Sequence, residues 1–369
     1  MPADESTVAE VARALLGRAL RLRRGENVII ETWNHTLPYA AACVVEARRL
    51  GAHPMLLLEE EDAYWRSLEV APSVAAWAGV GRHEWGALAK SQGYVFFPGP
   101  ADRPRFRSLP SNRASALTGY NAEWYRRARS ARIRGVRSML GYASAPEAAR
   151  WGVSAELWRN QLNRATTEVD YPEVVRRARR VAAMLTRGRE LRVTAANGTD
   201  VRVRLRRRSA YVDDGVVGPE DVRTGQNLTV SPPGTVVVAV DERSATGTLV
   251  ANRPSYLRPG RAEGAQWEMR DGRLQGFWYS DGQSAFEDPY RSAGRGRDVV
   301  SLFSVGLNPE LPGGVPQVED QEAGAITFAV GGNQGYGGSN RCPFVSWAVL
   351  GEATVAVDEV PLCDRGHFL

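Results

Sequence analysis

Apolar residues follow helical and strand spacing in turn along the first part of the chain. Residues 8–22 have apolar positions every three or four residues, which predicts an amphipathic helix. A short apolar run at 28–30 predicts a buried strand, and residues 37–50 predict a second helix that ends at Gly51. Residues 54–58 predict the next strand. A helix between two strands at this spacing is a βαβ unit, so the pattern predicts a parallel sheet.

The pattern changes near residue 187. Before it, residues 94–97 and 137–142 predict two more strands, and residues 172–185 predict a long helix. After it, short β-type runs alternate with turn residues such as Asn197-Gly198. These runs cover residues 191–194, 201–205, 236–240, 248–250, 266–270, 274–279, 326–330, 345–350 and 354–357. The fold class predicted is an α/β N-terminal domain with a parallel sheet, residues 1–187, followed by a mixed α+β, β-rich C-terminal domain, residues 188–369.

The composition is that of a soluble globular protein. Of 369 residues, 43% are hydrophobic and 24% are charged, which is ordinary for this class. The sequence has no apolar run of membrane-spanning length, and its first 25 residues lack the apolar centre of a secretory signal. Three cysteines are too few and too scattered for a disulfide framework. We therefore expect a cytoplasmic protein with no membrane partner.

The positive charge is carried almost wholly by arginine. The net charge is +5, and Lys90 is the only lysine. Guanidinium groups suit carboxylates better than ammonium groups do. The basic run at 202–208 is either one solvated face of a strand or a patch for an acidic peptide. Charge alone would allow nucleic acid, but no aromatic and basic recognition motif accompanies it, so we expect no nucleic-acid partner.

A series of short motifs runs along the chain. In order, they occupy residues 18–30, 46–54, 197–200, 213–215, 231–236, 306–309 and 324–329, and a glycine-rich segment begins at Gly331. Together they resemble the aminopeptidase T family of metallopeptidases over nearly the whole chain. The resemblance implies an aminopeptidase T-like fold and a homodimer.

The resemblance also locates the residues that correspond to the metal ligands of that family. Its members remove N-terminal residues from peptides with two divalent metals, which require carboxylate and imidazole ligands. Here the corresponding positions hold Thr235, Leu302, Thr327, Val345 and Trp347. None of these side chains binds a divalent metal at ordinary affinity. We therefore expect no metal and no other cofactor.

The distribution of histidine agrees with this interpretation. The four histidines are His35, His53, His83 and His367, so the β-rich half has none between Arg189 and Gly366. An all-carboxylate site around Glu319, Asp320 and Glu322 stays conceivable, but we expect these residues to form a solvated loop. A catalytic Cys342 would have only His367 as a partner in its own domain.

Other residues on the same segments could bind a ligand. The amides, guanidinium and aromatic rings that correspond to the family's pocket are candidate substrate-binding groups. They are Asn308, Asn333, Tyr336, Asn340, Arg341 and Trp347.

Two hypotheses of function follow. The first is a metal-free pseudo-peptidase that binds a peptide without cleaving it, for example a precursor peptide that it presents to partner enzymes in natural-product biosynthesis. The second is a metal-independent cyclase, isomerase or hydrolase that acts on a peptidic or small-molecule substrate. A metallopeptidase with relocated ligands is a third and weaker alternative. Whether the chain is an enzyme stays open.

Overall fold

The computed structural model describes residues 4–109, 111–257 and 260–369. The chain divides into two compact units. The first, called here the N-terminal unit, consists of Met1–Thr167 and Gly215–Pro232. The second, the C-terminal unit, consists of Glu168–Asp214 and Pro233–Leu369.

The secondary structure shifts from helix-rich to strand-rich along the chain. The helices are α1 Glu5–Arg13, α2 Leu37–Arg49, α3 Glu61–Val70, α4 Val74–Ala78, α5 Arg82–Ala89, α6 Arg103–Arg107, α7 Ser111–Ser130, α8 Ala145–Trp151, α9 Ala155–Thr167, α10 Tyr171–Arg187, α11 Pro219–Thr224 and α12 Gln283–Ser292. The strands are β1 Asn27–Trp33, β2 His53–Glu59, β3 Gly93–Phe96, β4 Arg134–Ser138, β5 Glu190–Thr194, β6 Asp200–Arg204, β7 Tyr211–Asp213, β8 Leu228–Ser231, β9 Thr235–Ala239, β10 Thr246–Val250, β11 Ser255–Tyr256, β12 Arg261–Ala262, β13 Gln266–Arg270, β14 Arg273–Trp278, β15 Val300–Gly306, β16 Ile326–Gly331, β17 Val345–Leu350, β18 Thr354–Val357, β19 Val360–Asp364 and β20 His367–Phe368. A π-helical stretch, Ala14–Ala19, continues α1.

The N-terminal unit is built on a parallel sheet, as predicted. Its strands lie in the order β2-β1-β3-β4-β8, and every neighbouring pair is parallel. The predicted βαβ unit corresponds to β1, α2 and β2. The edge strand β8 was not predicted, because its pairing of Leu228 with Gly135 of β4 joins distant parts of the sequence.

The fourth predicted strand is wrong over most of its length. Residues 137–142 were predicted as strand, but β4 ends at Ser138 and a 3₁₀ turn covers Met139–Tyr142. The neighbouring strand β3 ends at Phe96, opposite Arg137. Beyond that point no strand within the described residues continues the ladder on this side.

Helix α10 shows why the compact units differ from the predicted division at residue 187. Its buried residues recur at helical spacing, and they are Tyr171, Val174, Ala178, Val181 and Leu185. The Asp170 side chain caps its first turn by accepting a hydrogen bond from the Glu173 N–H at 3.2 Å. The helix packs against β7 and β9 and so falls in the C-terminal unit. The division at 187 stays a prediction about domain boundaries.

The C-terminal unit is built from antiparallel sheets. One has eight strands in the order β14-β13-β10-β6-β5-β18-β19-β20, and another has five in the order β17-β16-β15-β9-β7. The β-type runs predicted for this half correspond to strands of these sheets, which confirms an antiparallel, β-rich region. The central strand β15, buried along its whole length, was not predicted.

Within residues 4–109, 111–257 and 260–369, no helix combines the length and the apolar composition that a membrane span requires. The cytoplasmic location stays a prediction.

Candidate functional site

The two faces of the five-stranded sheet differ in chemistry. One face is largely apolar and includes Val236, Phe303 and Phe328, with the two phenylalanine rings 5.3 Å apart. The opposite face, called here the site face, carries Thr235, Ser304 and Thr327 among other residues. Side chains alternate between the faces of a strand, and directly paired residues share a face. The hydroxyl groups of Thr235, Ser304 and Thr327 thus stand on one side of the sheet, together with apolar side chains such as Leu302.

Strand register brings most of the positions that correspond to metal ligands onto the site face. Leu302 pairs with Ala329, which pairs in turn with Trp347. Thr327 pairs with Ser304 of β15, two residues along from Leu302. At the end of the same strands, Thr235 pairs with Gly306 and Asp213. Four of the five positions therefore share one surface on adjacent strands.

The fifth position, Val345, begins β17 on the same side, and its side chain is 42% exposed. Leu302 is instead buried in an apolar cluster with Ala239 and Ala329. Trp347 and Tyr336 pack against this cluster. Hydrocarbon and indole occupy the centre of the surface where carboxylates and imidazoles would be required.

The residues on the site face do not fit a two-metal centre. Threonine, leucine, valine and tryptophan side chains are not the carboxylate, imidazole or thiolate donors that divalent metals select. No group of three or more His, Cys, Asp or Glu side chains within the described residues is arranged to hold a metal ion. The expectation of a metal-free protein stays a prediction.

A loop segment covers one end of the site face. The backbone of residues 320–322 lies directly over Gly306, and a Cβ atom there would overlap the carbonyl oxygens of Asp320 and Glu322. Only glycine permits this close approach. The backbone N–H groups of Leu307 and Asn308 both donate to the Gln321 carbonyl, at 3.1 and 2.8 Å. The segment is therefore pinned where β9 and β15 meet.

Glu319, at the start of this segment, carries a buried carboxyl group onto the site face. Its side chain is only 2% exposed. Oε1 accepts hydrogen bonds from the Trp347 indole N–H at 3.0 Å and from the Tyr256 backbone N–H at 3.2 Å. Burial, together with the neighbouring Asp320 carboxylate, raises the pKa of Glu319 to about 7. The carboxyl group can therefore gain or lose a proton near neutral pH.

The predicted solvated loop is wrong for Glu319. The run Glu319-Asp-Gln-Glu322 is strongly polar in sequence, but its backbone packs over the sheet and draws the first side chain inward. Burial also raises the pKa of the partly buried Asp320, to about 6. Glu322 is held by a two-point ion pair with Arg253, at 3.0 and 3.1 Å. Both of its carboxylate oxygens are therefore used in an ion pair within the protein.

Several buried polar atoms near this face have no hydrogen-bond partner among the described residues. They include Glu319 Oε2, Gln321 Oε1, Thr235 Oγ1 and Thr327 Oγ1. The two threonine residues are 4% and 6% exposed. A buried polar group without a partner costs about 1–3 kcal/mol. Ser346 Oγ, on the opposite face, is also unpaired, but the site face combines unpaired hydroxyls with an unpaired carboxyl oxygen. A bound ligand or ordered water would satisfy this set.

The glycine-rich loop, residues 331–341, is different because its polar groups are paired within the protein. Asn333 is buried, and its Nδ2 donates to Glu242 Oε1 at 3.0 Å and to the Ser301 carbonyl at 3.2 Å. Its Oδ1 accepts the Asn340 backbone N–H at 2.9 Å. Glu242 Oε1 also accepts from Ser339 N at 2.8 Å. Asn333 and Glu242 thus form the internal brace of the loop.

The other predicted amides are also bonded internally. Asn340 Nδ2 donates to the carbonyls of Gly296 and Gly331, both at 2.7 Å. Asn308 Nδ2 donates to the Pro233 carbonyl at 2.9 Å. Ligand binding by Asn308, Asn333 and Asn340 stays a prediction, and their observed bonds shape the loop and the adjoining strand end.

The remaining predicted residues are better placed to meet a ligand. Tyr336 is half-buried, packs against the apolar cluster that contains Leu302, and meets the Tyr211 ring edge-on at 5.7 Å. Trp347 is half-buried with its indole N–H fixed by Glu319. Arg341 is exposed on the loop. The structure thus brings Trp347 together with Glu319, a residue that was not predicted from sequence, and Tyr336 packs against the same apolar cluster as Trp347.

Comparison with known proteins identifies the fold. No protein-family model and no curated protein matches the sequence. Wild-type AmpT, aminopeptidase T, from Thermus thermophilus superimposes with a TM-score of 0.70 at 17% identity, over 99% of each chain. The 2,5-dihydroxypyridine dioxygenase from Pseudomonas putida KT2440 superimposes with a TM-score of 0.66 at 14% identity, over 100% of this chain and 98% of that one. The chain therefore has an aminopeptidase T-like fold, and this fold also carries a dioxygenase.

Proposed function

We propose that the C-terminal unit binds a peptide-like ligand on the site face, without a divalent metal and without hydrolysing it. The observation that carries the proposal is the combination of unpaired buried polar atoms with side chains that cannot bind metal. Thr235 and Thr327 offer hydroxyls, Glu319 offers a carboxyl oxygen, and Leu302 occupies the centre of the surface. Such a surface favours hydrogen bonding over metal-assisted cleavage.

A peptide matches these groups chemically. Each peptide unit offers one N–H donor and one carbonyl acceptor. Threonine hydroxyls can serve either, and Glu319 can accept from an N–H when ionised or donate to a carbonyl when protonated. Tyr336 and Trp347 add flat apolar surface for a side chain. A precursor peptide presented to partner enzymes is our prediction for the ligand within this class.

Calorimetric titration with neutral tripeptides in the presence of a chelator tests the proposal. We expect saturable binding, with the peptide recovered intact by mass spectrometry. Thr327→Val should weaken binding about tenfold, the equivalent of about 1.4 kcal/mol. Thr199→Val is the matched control, because Thr199 is a buried threonine whose hydroxyl accepts the Val250 N–H at 3.0 Å. Binding of 2,5-dihydroxypyridine but of no peptide would contradict the proposal.

A second candidate is a metal-independent enzyme that uses Glu319 as acid and base. It is favoured by the pKa of about 7 and by the unpaired Oε2. Oε2 could take a proton from a carbon beside a substrate carbonyl and return it elsewhere, an isomerisation that needs no co-reactant. General acid–base catalysis contributes about 10²–10⁴-fold, so Glu319→Gln should reduce turnover by at least about a hundredfold. Equal turnover in the variant would exclude Glu319 from this role.

We also propose that the protein forms a homodimer. This proposal rests on the resemblance to the aminopeptidase T family. Sedimentation equilibrium should give twice the chain mass, and a monomer at micromolar concentration would contradict it.

A further inference from the structure

A basic cavity lies on the C-terminal unit beside the glycine-rich loop. It is an open surface cavity of about 430 Å³, lined by three arginines, Arg273, Arg295 and Arg297, with Tyr290 and the turn at residues 294–298. Asp298 is the one acidic residue among its lining side chains. The cavity therefore carries three guanidinium groups against one carboxylate.

The guanidinium groups are held at different places around the cavity. Arg297 lies over the Tyr290 ring, 4.9 Å from its centroid, and its Nη1 donates to the Arg291 carbonyl at 2.8 Å. Arg273 donates to Asp298 Oδ2 at 2.6 Å. Arg295 is exposed at the rim, between two glycines of the turn. Arg273 is therefore paired with a carboxylate of the protein itself, and Arg295 and Arg297 are the arginines to which we assign ligand binding.

The Asn340 side chain connects the turn that lines the cavity to the end of strand β16 on the site face. Asn340 Nδ2 bridges the Gly296 carbonyl of the turn and the Gly331 carbonyl at the end of β16. Thr327 lies four residues before Gly331 on the same strand. Four residues of strand span about 13 Å. An extended peptide of about five residues would therefore reach from Thr327 to Gly331, at the end of the strand, where Asn340 holds the basic turn.

We propose that this cavity, called here the arginine pocket, binds acidic side chains of the same peptide whose neutral part lies on the site face. The inference rests on the proposed function and specifies its ligand class as a peptide with an acidic segment. A guanidinium fork matches a carboxylate with two parallel hydrogen bonds. A cavity of about 430 Å³ has room for more than one such side chain.

A peptide is favoured over nucleic acid as the source of the negative charge. Single-stranded nucleic acids bind through aromatic platforms on which bases stack. The ring of Tyr290 is covered by Arg297, and the residues of β16 on the site face, Thr327, Ala329 and Gly331, carry no aromatic ring. We therefore assign the pocket to an acidic peptide.

Fluorescence anisotropy with two labelled peptides tests the assignment. One has three Glu-Ser repeats and the other three Gln-Ser repeats, so they differ only in charge. We expect the acidic peptide to bind more tightly, and its affinity to fall about tenfold or more in the double variant Arg295→Ala with Arg297→Ala. The Arg180→Ala control removes an exposed arginine from helix α10 and should leave binding unchanged.

A second variant keeps the test independent of the packing of Arg297 on Tyr290. Arg295→Glu reverses a charge on an exposed side chain and should weaken acidic-peptide binding further than Arg295→Ala, with an effect that diminishes as salt rises. Affinity for the acidic peptide that is equal in wild type, Arg295→Glu and the double variant would overturn the assignment. Displacement of the acidic peptide by a short oligothymidine at lower concentration than by itself would also overturn it.

The outcomes for the pocket and for the site face are separable. If the acidic repeat binds through the arginines but no neutral tripeptide binds, the arginine pocket stands and the proposed function fails. If neutral tripeptides bind in a Thr327-dependent way but the acidic repeat gains nothing from its charge, the proposed function stands and the arginine pocket is wrong.

Discussion

Two glutamates in the C-terminal unit occupy opposite kinds of environment. Glu242 accepts hydrogen bonds from Arg208, Asn333 and Ser339, and these bonds outweigh its burial and lower its pKa to about 2. Glu319 is buried with one oxygen unpaired, and its pKa is raised to about 7. The first carboxylate holds the glycine-rich loop together, whereas one oxygen of the second can still form a hydrogen bond to a ligand.

The comparison separates structural polar groups from candidate ligand-binding groups. The glycine-rich loop is conspicuous in sequence, but its buried amides are used within the protein. The site face is inconspicuous in sequence, but it keeps buried hydroxyl and carboxyl oxygens without partners. A protein incurs a cost in stability for such groups, and a ligand that bonds to them would recover it.

The largest effect is expected at the braced loop. Asn333→Ala removes three hydrogen bonds and leaves Glu242 and the Ser301 carbonyl with one bond fewer each. We expect a loss of about 3 kcal/mol in the free energy of unfolding. Urea denaturation measures it, with Gln334→Ala in the same loop as a control because Gln334 is exposed. Equal stability of the two variants would show that the loop is not braced by Asn333.

The next effect concerns Glu319 and depends on pH. Burial raises its pKa from 4.5 to about 7, so the folded state holds the proton more tightly than the unfolded state. Stability therefore falls as pH rises between these values, and the cost reaches about 3 kcal/mol above pH 7. Glu319→Gln removes this cost and should be more stable than wild type at pH 8, with little difference at pH 4.

Urea denaturation at pH 4, 6 and 8 measures the change, and Glu190→Gln, at an exposed position, is the control. A constant difference between Glu319→Gln and wild type at all three pH values would contradict the raised pKa.

A smaller effect should have opposite signs at two buried threonines. Thr327→Val removes an unpaired hydroxyl and should stabilise the free protein by about 1 kcal/mol. Thr199→Val removes a paired hydroxyl and should destabilise it by about the same amount. Thermal unfolding of both variants provides the measurement. Destabilisation of both to the same extent would mean that Thr327 Oγ1 already has a partner in the free protein.

The smallest effect is expected at Arg341, which was predicted from sequence to bind ligand. Because its side chain is exposed, Arg341→Ala should change stability by less than about 0.5 kcal/mol. We also expect less than about a twofold change in affinity for a neutral tripeptide, the equivalent of about 0.4 kcal/mol. A tenfold loss of affinity would instead show that Arg341, and with it the glycine-rich loop, takes part in ligand binding.

The sequence predicted the elements whose patterns are local. The βαβ unit and the short strands after Arg189 were readable from spacing, and the motif series led to the fold. Strand β15 was missed because Val300–Gly306 is buried on both faces and so lacks a clear alternation. Strand β8 was missed because the chain returns to the N-terminal unit to pair with β4.

The candidate site could be predicted only in part, because it too depends on contacts between segments that are distant in sequence. Register places Thr235, Leu302, Thr327 and Trp347 on one face. The burial of Glu319 depends on the packing of residues 320–322 over Gly306, a contact between segments that local polarity does not reveal. Likewise, the internal bonds of Asn333 and Asn340 depend on where the loop folds back.

We propose above that the site face binds a peptide through its own polar groups without metal. The most direct test of this proposal is the affinity of metal-depleted protein for a neutral tripeptide, measured by calorimetry with chelator and again with added zinc, cobalt or manganese. We expect the same affinity in all conditions, a Thr327-dependent signal and intact peptide at the end. Binding or cleavage that occurs only with added metal would contradict it.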